Sequence, residues 1–580
     1  MPIAQWLPRY KSFDLRGDAT AGLTVGVMLI PQGMAYAVIA GLPPIYGLYA
    51  ALVPLVIYPV LASSRHLSVG PTAIDMLIVA AGVGAVAEVG SARYVLLALA
   101  LTALVGLAQM AMGMMRLGFL ADMLSRPVVA GFTTAAAIII AGSQLGNLLG
   151  LELPRAASVY ETVQMALAQI DQAELVTCAM GLGSIALMAG LQVWRPHWPG
   201  ALVVVAGGIL IAWGAGPRLG DVAVIGTIPS GLPALSLPSI SFGDVRALAP
   251  AALTLALVQF MKNVSLGRIF AQRHGQDFDA NRELVAVGAA NVCGSLFQSV
   301  PVSGSFSRTA VSDKAGGRSP LANVVAAGLV MLTLLFFTPL FYHLPMPVLA
   351  AIIMVAAAGL IDVDEIRYLF QTRKREGFIA LFTFAATLGL GIQTGILLGI
   401  GASLVAAFYR MSRPEMAELG HLHDTRTFHD VQRFDGAHPI DGLLILRFNA
   451  AFSFANAEHF KEFILEKSRR TGPHLQAVLI DGASINDLDT TAIEALNRIV
   501  DELEQQGIAL YFSGLIGPVR DLMRRSGLYD RLGPDRFGDT LHDAVTQILA
   551  ARDEEDDGER LGSYLDTTAP PEAELAHSDR

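Results

Sequence analysis

From Ala19 to about Ser412 the chain is a succession of apolar runs, many near the roughly 20 residues a helix needs to cross hydrocarbon. That pattern restricts the fold more than any other feature. Inside a bilayer only helices and closed barrels satisfy every backbone group, and runs of this length select helices. Spans are expected at Ala19–Ala40, Tyr46–Leu61, Tyr94–Met115, Val129–Leu149, Leu175–Val193, Ala201–Ala215, Ala251–Phe270, Leu284–Phe297, Asn323–Tyr342, Val348–Ile361, Phe378–Leu390 and Ile396–Phe408. Pro71–Ala87 and Ser305–Val311 read as shorter pieces. Composition agrees: 16% of residues are charged, against about 25% in soluble domains.

The connections orient the bundle. Arg9, Lys11 and Arg16 precede the first span, and Arg65, Arg116, Arg126, Arg195, Arg273, Arg282, Lys314, Arg318 and Arg373-Lys-Arg375 fall in alternate connections. The opposite connections hold chiefly Arg93, Arg155, Arg218 and Arg246. By the positive-inside rule both termini are expected in the cytoplasm, and the Pro- and Ser-rich loop Asp221–Pro250 outside.

Two stretches break the apolar pattern in the same way. Gln298–Lys314 packs Pro301, Gly304, five serines and Arg308 into membrane-grade sequence, and Ser63–Thr72 has the same polar Gly/Pro grammar before a short apolar run. Irregular backbone at membrane depth is tolerated where it is buried in protein or lines a wet cavity. Paired interruptions of this kind point to a transporter's binding site. Each break should open a short helix, at Thr72 and at Ser305, whose free N–H groups and dipole end favour an anion. Ordinary capped and kinked helices are the plainer alternative, with Thr72 as a simple cap, but they leave Arg308 without a purpose. In the first span, Gln32 and Tyr36 stand four residues apart and share one helix face; a kink at Pro31 with local hydrogen bonding is the plainer reading. Asp75 and Lys262 are further ionisable residues in apolar surroundings, where pairing or solute contact is expected.

Past Arg413 the composition changes. Gly442–Asn449, Gln476–Asp481 and Ile508–Ser513 read as strands, and Ala455–Arg470, Thr490–Gln505, Gly517–Ser526 and Leu541–Leu549 as helices. This alternation indicates a small α/β domain, placed in the cytoplasm. Asp489 and Thr490 suit an N-cap; a phosphorylatable hydroxyl at a helix start is the functional alternative.

Other classes find no support. Cys178 and Cys293 lie in apolar runs without partner spacing, so neither a disulfide framework nor a metal site is indicated. The net charge of −10 owes much to the tail around Asp553–Glu559, which reads as solvated. The polar N-terminus lacks a signal-peptide core. There is no basic nucleic-acid face, nucleotide loop, catalytic triad or metal cluster, so no enzyme activity and no cofactor are expected.

These pieces together resemble the sulfate permease (SulP) family, the bacterial relatives of solute-carrier family 26. The matching residues are Asp18–Val25, Pro31-Gln-Gly-Met-Ala-Tyr36, Gly41–Tyr49, Gly70-Pro-Thr72 and the run from Glu283 to Gly304-Ser-Phe-Ser-Arg308. The C-terminal part looks like the family's STAS domain. The resemblance implies a polytopic α-helical membrane protein, about 14 segments in a 7+7 inverted repeat with core and gate domains. It implies an elevator-type secondary anion transporter, usually a homodimer, in a bacterial inner membrane. Domains are expected at 1–16 (lead-in), 17–412 (transport domain), 413–438 (linker), 439–552 (STAS) and 553–580 (acidic disordered tail). Carried over by position, Gln32, Tyr36, Thr72, Ser305, Phe306, Ser307 and Arg308 line the anion site, which the family forms between short segments three and ten.

The sequence departs from the family pattern at two places. Coupled members have a carboxylate in segment eight where this chain has Lys262, which puts a co-transported proton or sodium ion in question; pairing of Lys262 with Asp75 is expected instead. In the STAS domain Ala492 replaces the Gly of signalling members, which weakens Thr490 as a phosphosite and leaves a cytoplasmic partner open. Sulfate or a similar oxyanion is the expected substrate. Bicarbonate, chloride, dicarboxylates, an exchange or uncoupled mode, and a transport-inactive STAS-linked regulator are the alternatives.

Overall fold

The computed structural model describes residues 10, 12–119, 125–153, 159–194, 198–215, 222–237, 240–423 and 425–553. The expected acidic tail, beyond Asp553, and most of the lead-in lie outside these residues. The chain divides into two compact units, Met1–Ser403 and Leu404–Arg580.

The first half of the membrane unit runs through α1 (Ser12–Ile39), α2 (Pro44–Tyr49), α3 (Val53–Leu61), the strand β1 (Val69–Gly70) and α4 (Ala73–Gly84). It continues with α5 (Ala92–Met114), α6 (Arg126–Ser143), α7 (Leu145–Leu149), α8 (Val159–Ala168), α9 (Leu175–Trp194) and α10 (Gly200–Ala215). The second half runs through α11 (Phe242–Arg273), α12 (Ala280–Leu296), β2 (Ser303–Gly304), α13 (Phe306–Lys314), α14 (Leu321–Leu332), α15 (Met346–Ala358), α16 (Val363–Thr372), α17 (Lys374–Leu390) and α18 (Ile392–Ser412). With α2 joined to α3, α6 to α7, and α8 and α16 set aside as connectors, each half supplies seven segments. Among the described residues, nine helical stretches are long and apolar enough to cross a membrane. The other five segments, α4, α10, α12, α13 and α17, are 12, 16, 17, 9 and 17 residues long.

The inverted repeat shows in the packing. Helix α1 lies against α14 as its counterpart α11 lies against α5, and α1 meets α13 as α11 meets α4. Small residues permit the closest approaches: a Cβ on Gly47 of α2 would stand 1.9 Å from the carbonyl oxygen of Gly33 in α1. The two breaks meet as a short antiparallel pair, Val69 opposite Gly304 and Gly70 opposite Ser303.

The span expected at Ala251–Phe270 begins earlier, at Phe242, so Phe242–Pro250 is helical and not loop. Ser241 and Asp244 form a reciprocal capping box there, a start signal legible in S-x-x-D that outweighs the cost of Pro250 inside the helix. The span expected at Asn323–Tyr342 is regular only to Leu332, then passes through π and 3-10 turns as far as His343.

In the second unit, the stretch expected as a linker carries β3 (Met416–Leu422), β4 (Phe428–Asp430) and β5 (Ala437–His438). They are followed by β6 (Leu443–Phe448), α19 (Ala457–Thr471), β7 (Ala477–Asp481), α20 (Thr490–Glu504), β8 (Ala509–Ser513), α21 (Gly517–Arg525), α22 (Leu528–Leu532), β9 (Phe537–Gly538) and α23 (Leu541–Asp553). The sheet order is β4-β3-β6-β7-β8-β9, with β5 on β3. Strands β6 to β9 are parallel, whereas β3 runs antiparallel to β6, Glu418 opposite Leu446. The polar composition of 413–438 hides these strands; β3 pairs with β6 on one side and with the short edge strands β4 and β5 on the other, which makes all three part of the sheet. One face of the sheet packs a core with residues of α19, α20 and α21, the other a smaller core with α23.

Candidate functional site: two facing helix ends

The β1–β2 pair sets the N-termini of α4 and α13 side by side in the middle of the membrane unit. Thr72 and Ser305 occupy the N-cap positions, but neither side chain caps its helix. The first-turn N–H groups therefore keep their capacity for an anion. The Thr72 hydroxyl is used differently: it accepts from Lys262 Nζ at 2.9 Å.

Lys262, on α11, also donates to Asp75 Oδ1 at 3.0 Å, so the two ionisable residues expected to pair are brought together. Asp75 is fully buried, and its second oxygen accepts from Gln259 Nε2 at 3.1 Å and Ser303 Oγ at 2.5 Å. A buried carboxylate supplied with a cation and two neutral donors is an internally closed ion pair. Behind it stands a chain of buried amides. Gln109 Nε2 donates to Gln259 Oε1 at 2.9 Å, and Asn291 Nδ2 donates to Gln109 Oε1 at 3.2 Å. Asn291 also pins the second break by accepting from the Val302 N–H at 2.8 Å. Asn263 does the same from α11, accepting from the Gly304 N–H at 2.7 Å.

Arg308 is arranged otherwise. Its side chain is fully buried, and Nη1 donates to the Pro71 carbonyl at 3.0 Å, while Nε and Nη2 have no hydrogen-bond partner. Gly70 makes the approach possible: a Cβ there would meet Arg308 Nη2 at 3.1 Å, and its φ of +156° is one that L side chains rarely adopt. A guanidinium with two unpaired donors is a demanding group to bury, since insertion of a cation near a bilayer centre costs about 2.5–3.5 kcal/mol even on the mildest scale. Among the described residues the geometry leaves it free for a negative ligand.

The remaining expected residues fall around this centre. Tyr36 is buried and near enough to Arg308 for direct electrostatic influence, and Gln32 carries a buried Oε1 without a partner. Ser305 is half-buried, its Oγ 3.3 Å from that of Ser307. Ser307 and Phe306 are exposed, with the Phe306 ring 6.3 Å from that of Phe270.

Residues 15–383 match the sulfate permease family, and residues 437–544 match the STAS domain. The chain belongs to the sulfate permease family. It is therefore a multi-pass membrane permease with a C-terminal STAS domain, not an enzyme. A probable sulfate transporter of Mycobacterium tuberculosis is 36% identical over 551 residues, 94% of this chain and 98% of the relative. A chloroplast sulfate transporter of Arabidopsis thaliana is 33% identical, covering 94% of this chain and 82% of the plant protein. The murine solute carrier 26 family member A9 anion transporter, in an inward-facing state, superposes with a TM-score of 0.87 at 26% identity, over 95% of this chain and 94% of the mouse chain.

Sequence reasoning passed over several of the permease's buried polar groups. Glu283 is fully buried at the start of α12 and accepts from Tyr58 Oη at 2.6 Å, the Ser63 N–H at 3.1 Å and the Ser64 N–H at 3.0 Å. It anchors the chain entering the first break. Gln109 and Asn291 were also missed, although an amide inside an apolar span is itself a signal, because it must find a partner. In the STAS domain, Asp489 caps α20 by accepting from the Ala492 N–H at 2.8 Å and accepts from the Phe454 N–H at 2.7 Å. Thr490 is exposed at the first helical position.

Proposed function

We propose that this permease is a secondary transporter that carries sulfate or a similar inorganic oxyanion across a bacterial inner membrane by elevator-type alternating access. Anion transport is the activity its relatives' names share. One observation carries the choice of site: fully buried Arg308, with two free N–H-bearing nitrogens, stands beside two uncapped helix N-termini. A tetrahedral dianion suits that set, because several acceptor oxygens meet several fixed donors. Gln32, Tyr36, Thr72, Ser305, Phe306 and Ser307 line the path to it, and the Asp75–Lys262 pair balances itself.

Lys262 is a fixed cation on the segment where coupled relatives place a carboxylate. A charge already tethered to Asp75 leaves no vacancy there for a transported proton or sodium ion. We therefore propose exchange or uncoupled movement at this position. The protein works as a homodimer with both termini in the cytoplasm, and Thr490 is the STAS hydroxyl open to phosphorylation or to a partner.

The test is uptake of labelled anions into proteoliposomes of the full chain, with and without pH and sodium gradients. Sulfate uptake that unlabelled oxyanions compete away, and that neither gradient stimulates, is expected. Stimulation by a gradient would end the tethered-cation reading. Preferential transport of bicarbonate, chloride or a dicarboxylate would reassign the substrate, and failure to move any anion would favour a STAS-linked regulator.

A further inference from the structure

Away from the anion site, a second polar cluster lines a cavity of ≈ 470 Å³ shared by the start of α1, the chain between α3 and β1, the end of α11 and the end of α13. Its walls include Arg65, His66, His274, Gln276 and Asp313. The rings of His66 and His274 stack at 4.0 Å with an interplanar angle of 12°. His274 Nε2 stands 2.7 Å from Asp313 Oδ1, and His66 Nδ1 stands 4.0 Å from the same oxygen. One ligand atom from each of the three lies within 4.8 Å of the others.

We infer that His66, His274 and Asp313 form a binding site for a divalent transition-metal ion of the zinc type, separate from the anion site. Two imidazoles and one carboxylate, with a fourth position open to the cavity, is a donor set that Zn²⁺ accepts. Hard ions such as Mg²⁺ and Ca²⁺ prefer all-oxygen shells and are excluded by the two nitrogens. With bonds of about 2.0–2.1 Å, tetrahedral ligand atoms stand roughly 3.3 Å apart. The 2.7 and 4.0 Å separations from the shared Asp313 oxygen bracket that value.

Capture requires a rearrangement at each imidazole. Parallel rings do not aim their lone pairs at a common point, so one ring must turn. His274 is the one that can, since its side chain is 33% exposed while that of His66 is 4% exposed. His66 must also give up its Nδ1 contact with the Gly317 carbonyl, now 3.2 Å. Asp313 needs no new freedom: Oδ2 is held by Arg273 Nη1 at 3.0 Å, which leaves Oδ1 for the ion. The three ligands stand far apart in sequence and show no ligand spacing, which is why the sequence indicated no metal.

The site ties together the elements that build the anion site. Asp313 lies on α13 with Arg308, and His274 ends the helix that carries Lys262. A bound ion would fix these two helices to the chain entering the first break. Its effect on uptake, an inhibition, rests on the transport reading; its binding does not.

Titration of the full-length protein in detergent with ZnCl₂, read by calorimetry, tests the site. One saturable Zn²⁺ per chain is expected, undisplaced by excess Mg²⁺ or Ca²⁺, with Co²⁺ giving the intense visible bands of a tetrahedral complex. H274A, at an accessible position, should weaken binding by at least about tenfold, as should D313N. Replacing the exposed His438 should change nothing. Absence of saturable Zn²⁺ binding at about 100 μM, or unaltered affinity in H274A, overturns the proposal. Zn²⁺ binding that is lost in H274A without any effect on sulfate uptake would leave the metal site standing and remove its link to transport.

Discussion

The break before α4 and the break before α13 are paired residue against residue, Val69 with Gly304 and Gly70 with Ser303, yet they handle charge in opposite ways. At the first, Asp75 is closed off by Lys262, Gln259 and Ser303. At the second, Arg308 gives one bond to a carbonyl and leaves two nitrogens free. Inverted repeats fix where two half-helices end. They do not fix what each end carries, and here one charge is fully satisfied within the protein while the other keeps two unpaired nitrogens. The first break carries a charge whose partners are all within the protein, and the second carries one whose donors are not all used.

The comparison is most exposed to failure at Arg308. R308A should lower sulfate uptake in proteoliposomes by about a hundredfold or more, since two charge-assisted hydrogen bonds are worth roughly 1.5–3 kcal/mol each. R308K keeps the charge without the fork and should recover only a small part. Near-normal uptake by R308A would move the binding centre elsewhere. Next come the partners of the closed pair: D75N and K262Q should each reduce uptake roughly tenfold, and the double variant should lose less than the product. A coupling energy of about 1 kcal/mol is expected in that cycle, and strictly multiplied losses would refute internal neutralisation.

Smaller effects sharpen the contrast. G70A places a methyl group against the Arg308 fork and Leu29. It should cost on the order of tenfold in uptake while leaving the amount of folded protein unchanged; an unaffected rate would show that the guanidinium is free to move aside. Smallest is the STAS cap. D489A should raise hydrogen exchange at the start of α20 in the full-length chain by an amount equivalent to about 1 kcal/mol, whereas T490A should stay within about 0.5 kcal/mol. Equal effects of the two would make Thr490 part of the cap.

Much of the membrane unit was legible because hydrocarbon tolerates so few backbone solutions. The spans, the two breaks and the pairing of Asp75 with Lys262 follow from the rule that a lone charge in apolar surroundings must find a partner. The early start of α11 was also written in the chain, in Ser241 and Asp244, but the proline at position 250 masked it. The strands within 413–438 were not legible, because a polar strand takes its identity from the neighbours it pairs with, here β6 beside β3 and β3 beside β4 and β5, more than from its own pattern. Glu283 was hidden for a related reason: a glutamate near a helix start reads as an ordinary first-turn acid, and only the approach of Tyr58, Ser63 and Ser64 makes it a buried anchor.

By itself the sequence determined the class, the span order, the two polar interruptions and which ionisable residues had to be explained. Tertiary structure alone decided how each charge is completed: Gln259 and Ser303 on the second oxygen of Asp75, and the Pro71 carbonyl as the acceptor for Arg308. Asp75 and Lys262 stand 187 residues apart, and His274 and Asp313 39, and no local pattern reports a distance across a bundle. Nor does any pattern tell a cap from a ligand: Thr72 sits where a capping hydroxyl belongs, and only the arrival of Lys262 at 2.9 Å gives it a different task. Chain pattern sets what each residue needs, and packing sets which neighbour is near enough to supply it.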